Sequence, residues 1–197
     1  MKGDSTAAAL LRSLCGVDPE EVLARIFDGD PLQLQGLVMR VLRGNGFLLD
    51  PDRCMQHSLE EIAFTVSGAD EVDAKEIDRV WIERCVDRAC DRLIALDEAA
   101  ERRWTQGFEV QAGTHRFLSE AFGVRWGRGR AASVAFHRLP LRTRLVFFAI
   151  CVERTPAERW LEATDGSPAE LRDDVWMAFE ALGFVTDNDV AEFRARG

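Results

Sequence analysis

No apolar run in this chain approaches the roughly 18 residues that a bilayer-spanning helix needs, so no segment is expected to cross a membrane. The N-terminal stretch has one short apolar patch, interrupted by Arg12 and followed by acid. It lacks the form of a secretory signal. Cysteine is sparse. The five (Cys15, Cys54, Cys85, Cys90 and Cys151) are odd in number and form no CxxC pair. Scattered thiols of this kind are usually small buried hydrophobes in a reducing compartment, so a cytoplasmic location is expected. The three histidines (57, 115 and 137) lie far apart, without metal-ligand spacing. There is no EF-hand loop, P-loop, GxSxG or HExxH pattern. The expectation is a protein with no catalytic centre, no metal and no cofactor, and so not an enzyme. Strand alternation, internal repeats and low-complexity tracts are missing too, which leaves an all-α class.

What is present is enough apolar residue for real cores: 197 residues suit one or two small domains, and 47% are hydrophobic. The net charge of −9 works against a generic nucleic-acid binder, which needs cations to displace phosphate counterions. DNA binding then requires basic residues clustered on one face.

Aspartate-proline pairs punctuate the first third. Asp18-Pro19 opens a predicted helix through about Phe27, Asp30-Pro31 a second through Arg43, and Asp50-Pro51 a third through about Val66. In each, the aspartate serves as N-cap and the proline as the first helical residue. A fourth, longer helix is predicted from about Val72 to Arg103, with an apolar stripe at Ile77, Val80, Trp81, Cys85, Ala89, Leu93 and Leu96. Residues 104–135 are rich in Gly and Arg and read as a linker holding a short helix around His115 to Phe122.

The stretch from His137 to Leu182 reads as three helices. Pro140 heads the first, whose run Leu141 to Val152 is apolar enough to be buried. Thr155-Pro156-Ala157-Glu158 has the form of a capping box, Asp165-Gly166 a break, and Ser167-Pro168-Ala169-Glu170 a second box. Two short helices joined by a tight Gly-containing turn form a helix-turn-helix. The third helix offers Leu171, Val175, Ala178, Phe179 and Leu182 as a core face, and Trp160 and Trp176 are expected to pack near one another. All five tryptophans (81, 104, 126, 160 and 176) are expected in a core or interface rather than in base stacking.

This stretch resembles region 4 of bacterial sigma-70-type factors of the extracytoplasmic-function group. The resemblance rests on Leu139, Pro140, Arg142, Arg144, Val146, Phe147, Val152, Glu153, Glu158, Glu162, Ser167, Leu171, Arg172 and Val175. Upstream, residues 57–66 resemble the region 2 helix that docks on the polymerase clamp, with Glu61 and Val66 matching outright and His57 in place of the usual acid. Residues 92–98 followed by Arg102-Arg103 resemble the segment that reads the −10 promoter element, with Leu93 where the family has Asn. The resemblance implies two small helical domains, the second holding the helix-turn-helix, joined by a Gly/Arg-rich linker. They follow an N-terminal tail (1–17) as region 2 (18–103), the linker (104–135), region 4 (136–183) and a C-terminal tail (184–197).

The same resemblance implies a transcription initiation factor that binds core RNA polymerase, at its β′ clamp and β flap, and promoter DNA. Polymerase contacts would be Ser58, Leu59, Glu60, Glu61 and Phe64; DNA contacts would be Arg84, Arg88, Arg92, Arg102, Arg103, Ser167 and Arg172. A second reading stands beside it. The third helix carries Asp173-Asp174 where the family is basic, and Arg84, Arg88 and Arg92 run beside Glu83, Asp87 and Asp91, as on a solvated, salt-bridged face. These features suit a sigma-fold adaptor that has lost promoter reading and acts through protein contacts, with an anti-sigma or other regulatory protein as partner. For the linker, Arg125, Arg128 and Arg130 suit a path along polymerase channels, and packing on its own domains is the other reading.

Overall fold

The computed structural model describes residues 3–70, 72–107, 116–125 and 127–185. It is helical throughout, with no strand among the described residues. None of its helices is long and apolar enough to cross a membrane. The chain forms two compact units, Met1–Val41 with Asp50–Leu93, and Leu42–Leu49 with Ile94–Gly197. This division falls inside a helix, between Leu93 and Ile94, whereas the sequence reading sets its boundary at 103/104.

The first unit begins with α1 (Gly3–Ser13), in the stretch expected to be a tail. Ala7, Ala8 and Leu11 are buried, and the Arg12 guanidinium donates to the Ile77 carbonyl at 2.7 and 3.1 Å. The alanine-rich patch is thus a core face. In α2 (Pro19–Phe27) the Asp18 carboxylate accepts the Glu20 N–H at 2.9 Å, as expected of the Asp-Pro pair, and Val22 and Ile26 are buried. Asp30 works differently. It sits at φ 48°, Pro31 to Gln33 form a turn, and the Asp30 carboxylate accepts from Leu34 N at 2.7 Å, so α3 (Leu34–Asn45) starts three residues late. In α4 (Pro51–Ser67), Asp50 caps Asp52 N at 3.0 Å, and Cys54, Ser58, Leu59, Ile62, Ala63 and Val66 point inward. Helix α2 packs against α4.

The long fourth helix also starts later than expected. Residues 73–76 form a short 3₁₀ turn, Ile77 is extended, and Asp78 accepts Trp81 N at 2.7 Å to open α5 (Arg79–Thr105). Of the expected stripe, Ile77, Cys85, Ala89 and Leu93 are buried, joined by Ile82, Val86 and Cys90, while Val80 is 56% and Leu96 50% exposed.

The second unit is built on aromatic rings. Helices α6 (Arg116–Phe122), α7 (Gly129–His137), α8 (Leu141–Phe147) and α10 (Pro168–Leu182) surround a core of Leu48, Leu118, Val124, Ala132, Phe136, Phe147, Phe148, Ala178 and Leu182. The rings of Phe136 and Phe147 meet edge to face at 5.3 Å, and Phe147 meets Phe179 at 6.0 Å. Such pairs contribute roughly 0.5–1.5 kcal/mol beyond their burial. The linker residues from Gly129 to Phe136 therefore belong to this core: α7 packs on both α6 and α10. The short-helix expectation matches α6; His115 lies outside the described residues.

The apolar run after α8 continues as a π-helical turn, Phe148–Val152, in which Glu153 N donates to Phe148 O at 3.0 Å. Thr155 N is then committed to Ala149 O at 2.9 Å, and Arg154 is left-handed at φ 55°. This geometry overturns the first expected capping box: Pro156, not Thr155, is the N-cap of α9 (Ala157–Thr164), and no side chain caps it. The second box forms as expected. Ser167 Oγ accepts Glu170 N at 3.2 Å, and the Glu170 carboxylate accepts Ser167 N at 3.0 Å. Replacing Ser167 by Ala should cost about 1 kcal/mol in a denaturant titration, with Ser167→Asp recovering most of it.

Candidate functional site

The five residues expected on the polymerase side all lie on α4, but the helix divides them. Ser58 is fully buried and its hydroxyl donates to the Cys54 carbonyl at 2.6 Å. Leu59 is buried as well. Neither offers a side chain to a partner. Glu60, Glu61 and Phe64 remain outside the core. Phe64 is 66% exposed, an aromatic ring largely in water. Glu60 lies 3.0 Å from the Gln56 amide and 3.5 Å from the His57 ring.

Glu61 is engaged by Arg88 of α5, whose Nε donates to it at 3.0 Å and whose Nη2 lies 3.1 Å from Cys85 Sγ. One candidate DNA contact therefore neutralises one candidate polymerase contact. Arg84 and Arg92 are exposed on either side. The acidic residues of the stripe are felt on Asp87, whose carboxyl is pushed up by partial burial, then by Glu83 and Asp91. In the middle of the stripe Arg88 thus pairs with α4, and Glu83 pairs with Arg40 of α3 at 3.8 Å. Beneath it, burial pushes the Cys85 thiol up to about 12. The Cys54 thiol is raised as well, first by its hydrogen bond with Cys90 and then by burial. All five cysteines are free, and Cys54, Cys85 and Cys90 lie in the interior. As protonated thiols, Cys54 and Cys85 are poor nucleophiles.

Further along α5, in the second unit, Asp97 accepts from Ser133 Oγ of α7 at 3.1 Å, and Glu98 pairs with Arg138 at 3.1 Å. The acids of the −10-like segment thus hold α7 to α5. Arg102 and Arg103 occupy the last turn and are exposed. Trp104 beside them is 60% exposed, which of its two expected places, core or interface, removes the core; Trp81, Trp160 and Trp176 are half-buried, and Trp126 lies outside the described residues.

The α8–α10 contact is the feature that sequence reasoning placed wrongly. Asp173 and Asp174 were expected as adjacent surface acids. Asp173 is exposed and holds Arg172 at 3.4 Å, but Asp174 is only 6% exposed. Its carboxylate accepts the Thr143 hydroxyl at 2.6 Å and Arg142 Nε at 3.1 Å. The same guanidinium reaches Glu170 through Nη2 at 3.1 Å. Arg142 of α8 therefore clasps two acids one turn apart on α10. Arg142 and Arg144, which carry the basic part of the region 4 resemblance, are used inside the unit: Arg144 stacks over Phe47 at 5.0 Å. The spacing of Glu170 and Asp174 was the available signal, since residues four apart share a helix face.

Glu170 gives this clasp a pH dependence. Its carboxyl is held below its ordinary value of 4.5 by the Ser167 backbone N–H, then by Arg142 and the Ser167 side chain. A lowered folded value means that the ionised form supports the fold. Its contribution is complete above about pH 4.5 and is lost as pH falls through the lowered value. On acidification below that point, the melting temperature of the wild type should fall more steeply than that of Glu170→Gln.

Among the described residues, no group of three His, Cys, Asp or Glu side chains could hold a metal ion. The chain matches no family model, no curated protein and no solved structure. What stands is an all-helical chain of two compact units.

Proposed function

We propose that this protein is a sigma-like transcription initiation factor, which binds core RNA polymerase through the exposed part of α4 and directs it to promoters. The observation that supports it best is the C-terminal trio. Helix α9 and helix α10 are joined by a left-handed Asp165, Gly166 and a fully formed Ser167 capping box, with α10 seated on α8. This turn and cap support reading the segment as a helix-turn-helix, at the place where the sequence resembles region 4. In this reading the polymerase surface on α4 narrows to Glu60, Glu61 and Phe64, and the clamp takes Glu61 in competition with Arg88.

The test is co-elution of the full chain with purified core enzyme. A stable complex is expected, weakened at least fivefold by Phe64→Ala, the level at which an interface residue counts as significant. Failure to bind core enzyme would remove the reading.

A second reading is favoured by the outer surface of α10. Glu170, Asp173 and Glu180 are exposed there, and the one cation, Arg172, is paired with Asp173. Such a surface repels phosphate, and suits an adaptor that keeps the fold and binds a regulatory protein such as an anti-sigma factor. Core binding without promoter-dependent transcription would select it.

A further inference from the structure

We infer that His137 is a proton-operated latch, which holds the segment Gly46–Leu49 in the second unit while its ring is neutral and releases it on acidification. The inference is independent of what the protein binds. Three observations carry it.

First, the two ring nitrogens are committed to roles that fix one neutral tautomer. Nδ1 lies 2.8 Å from the Ser133 carbonyl, and the Leu48 N–H donates to Nε2 at 3.2 Å. A carbonyl only accepts and an amide N–H only donates. The ring proton therefore sits on Nδ1, and the Nε2 lone pair receives Leu48. A second proton would go onto Nε2 and set two donors against each other.

Second, the bond belongs to the interior. Leu48 is buried in the core of the second unit, with Phe47 and Leu49 buried on either side. An amide turned away from Nε2 there is a donor without a partner, which folded chains avoid. The near end of the segment is tied without the ring: Phe47 N donates to Leu42 O at 2.8 Å, and Arg43 pairs with Glu153. The opening is therefore local, with Gly46–Leu49 lifting while α7 stays helical.

Third, the charges around the ring leave the neutral form favoured. Arg144 of α8 lies over the Phe47 ring, which meets the imidazole edge to face at 5.6 Å, and its charge opposes a second cation. Phe136 flanks the imidazole at 5.6 Å. Arg138, next in the chain, is paired with Glu98 of α5. Asp97 of α5 acts the other way. It accepts from Ser133 Oγ at 3.1 Å, and that oxygen lies 3.3 Å from Nδ1. Its carboxylate is partly exposed, so water screens its pull, whereas the opposed donors at Nε2 meet directly in the interior. The closed state thus takes up the second proton less readily than the open one. Closure is fully supported above about pH 6.5, the ordinary value for histidine, and weakens as pH falls below it.

The experiment follows amide hydrogen exchange of the full chain by NMR between about pH 7.5 and 5.5, the range in which imidazole ordinarily titrates. Each rate is divided by the intrinsic rate at that pH. Leu48 should lose protection below about pH 6.5, by up to about tenfold per pH unit, because one proton is taken up for each opening. Ala132 of α7, whose amide donates to Arg128 O at 2.9 Å, should keep its protection. His137→Gln, uncharged throughout, should abolish the pH dependence at Leu48. The nitrogen shifts of the imidazole in the wild type should place the proton on Nδ1 at the upper end of the range, a readout that needs no variant. Constant protection of Leu48 across the range, or a loss in step with Ala132, would overturn the inference. So would a neutral ring that carries its proton on Nε2. Polymerase binding enters none of these readouts, so a chain that ignores core enzyme but shows the Leu48 response would lose the initiation-factor reading alone.

Discussion

Replacing Gly46 by Ala should destabilise the second unit by about 3 kcal/mol or more, the largest effect expected of any single methyl group in this chain. Gly46 sits at φ 58°, in the left-handed region. A Cβ there would lie 2.6 Å from the Arg144 carbonyl carbon, 2.7 Å from its oxygen and 2.8 Å from Leu145 N. These are backbone atoms of a packed helix and cannot swing aside. The left-handed conformation costs an alanine about 1–2 kcal/mol, and displacing the backbone adds an overpacking cost of about 1–3 kcal/mol. The segment cannot retreat, because its neighbours are anchored. Phe47 lies under the Arg144 guanidinium, Leu48 is in the core, and Leu48 N donates to His137 Nε2 at 3.2 Å. Gly44, two residues earlier, is the control. It lies in α3 with open space around it, so Gly44→Ala should stabilise by up to about 1 kcal/mol. Urea titrations of the two variants test the pair; an unchanged midpoint for Gly46→Ala would show that the approach to α8 is not as close as the structure has it.

Gly46 also shows why the sequence was legible in part. The helix predicted through Arg43 ends at Asn45, just before Gly46, because stop signals are local: they depend on which residues tolerate a left-handed turn. That Gly46 must also let α8 pass cannot be read, since the two meet only through tertiary structure. The same division runs through the chain. Asp18, Asp50 and Ser167 cap their helices as their neighbours dictate. Thr155 has the right neighbours too, but the π-helical turn behind it commits its N–H, and the helix starts one residue later. In α5 the four-residue spacing of Cys85, Ala89 and Leu93 marks the buried face correctly; its width, which takes in Ile82, Val86 and Cys90, and its outward-facing Val80 and Leu96 depend on what packs against the helix. On α4 the sequence pattern found a helix but could not say which side of it faced the core, so Ser58 and Leu59 were offered to a partner although they are interior. The Gly/Arg content of 104–135 suggested a linker. Ala132, Val134 and Phe136, spaced for burial, were the contrary signal.

Asp174 is the residue whose replacement should separate fold from function. Asp174→Ala should cost about 2–3 kcal/mol. It leaves the Thr143 hydroxyl, itself buried, without its acceptor, at about 1–3 kcal/mol. It also removes one of the two acids that hold Arg142. A fully buried ion pair would cost more to break, but Arg142 is 54% exposed, and water takes over much of its charge. Asp174→Asn keeps an oxygen for Thr143 and should lose about 1 kcal/mol. In a double-mutant cycle, Thr143→Val and Asp174→Ala should fall well short of additive, because both remove the same hydrogen bond.

The functional consequence follows from where the charge points. If the acids of α10 repel duplex DNA, the repulsion comes from Asp173 and Glu180, which face solvent, and not from Asp174, whose charge is spent on Thr143 and Arg142. Asp173→Asn combined with Glu180→Gln should then strengthen duplex binding and change stability by no more than about 0.5 kcal/mol. Asp174→Asn should do the reverse, weakening the fold and leaving DNA affinity where it was. Equal gains in affinity from all three acids would mean that Asp174 faces the duplex, and that α8 and α10 are not held together as described.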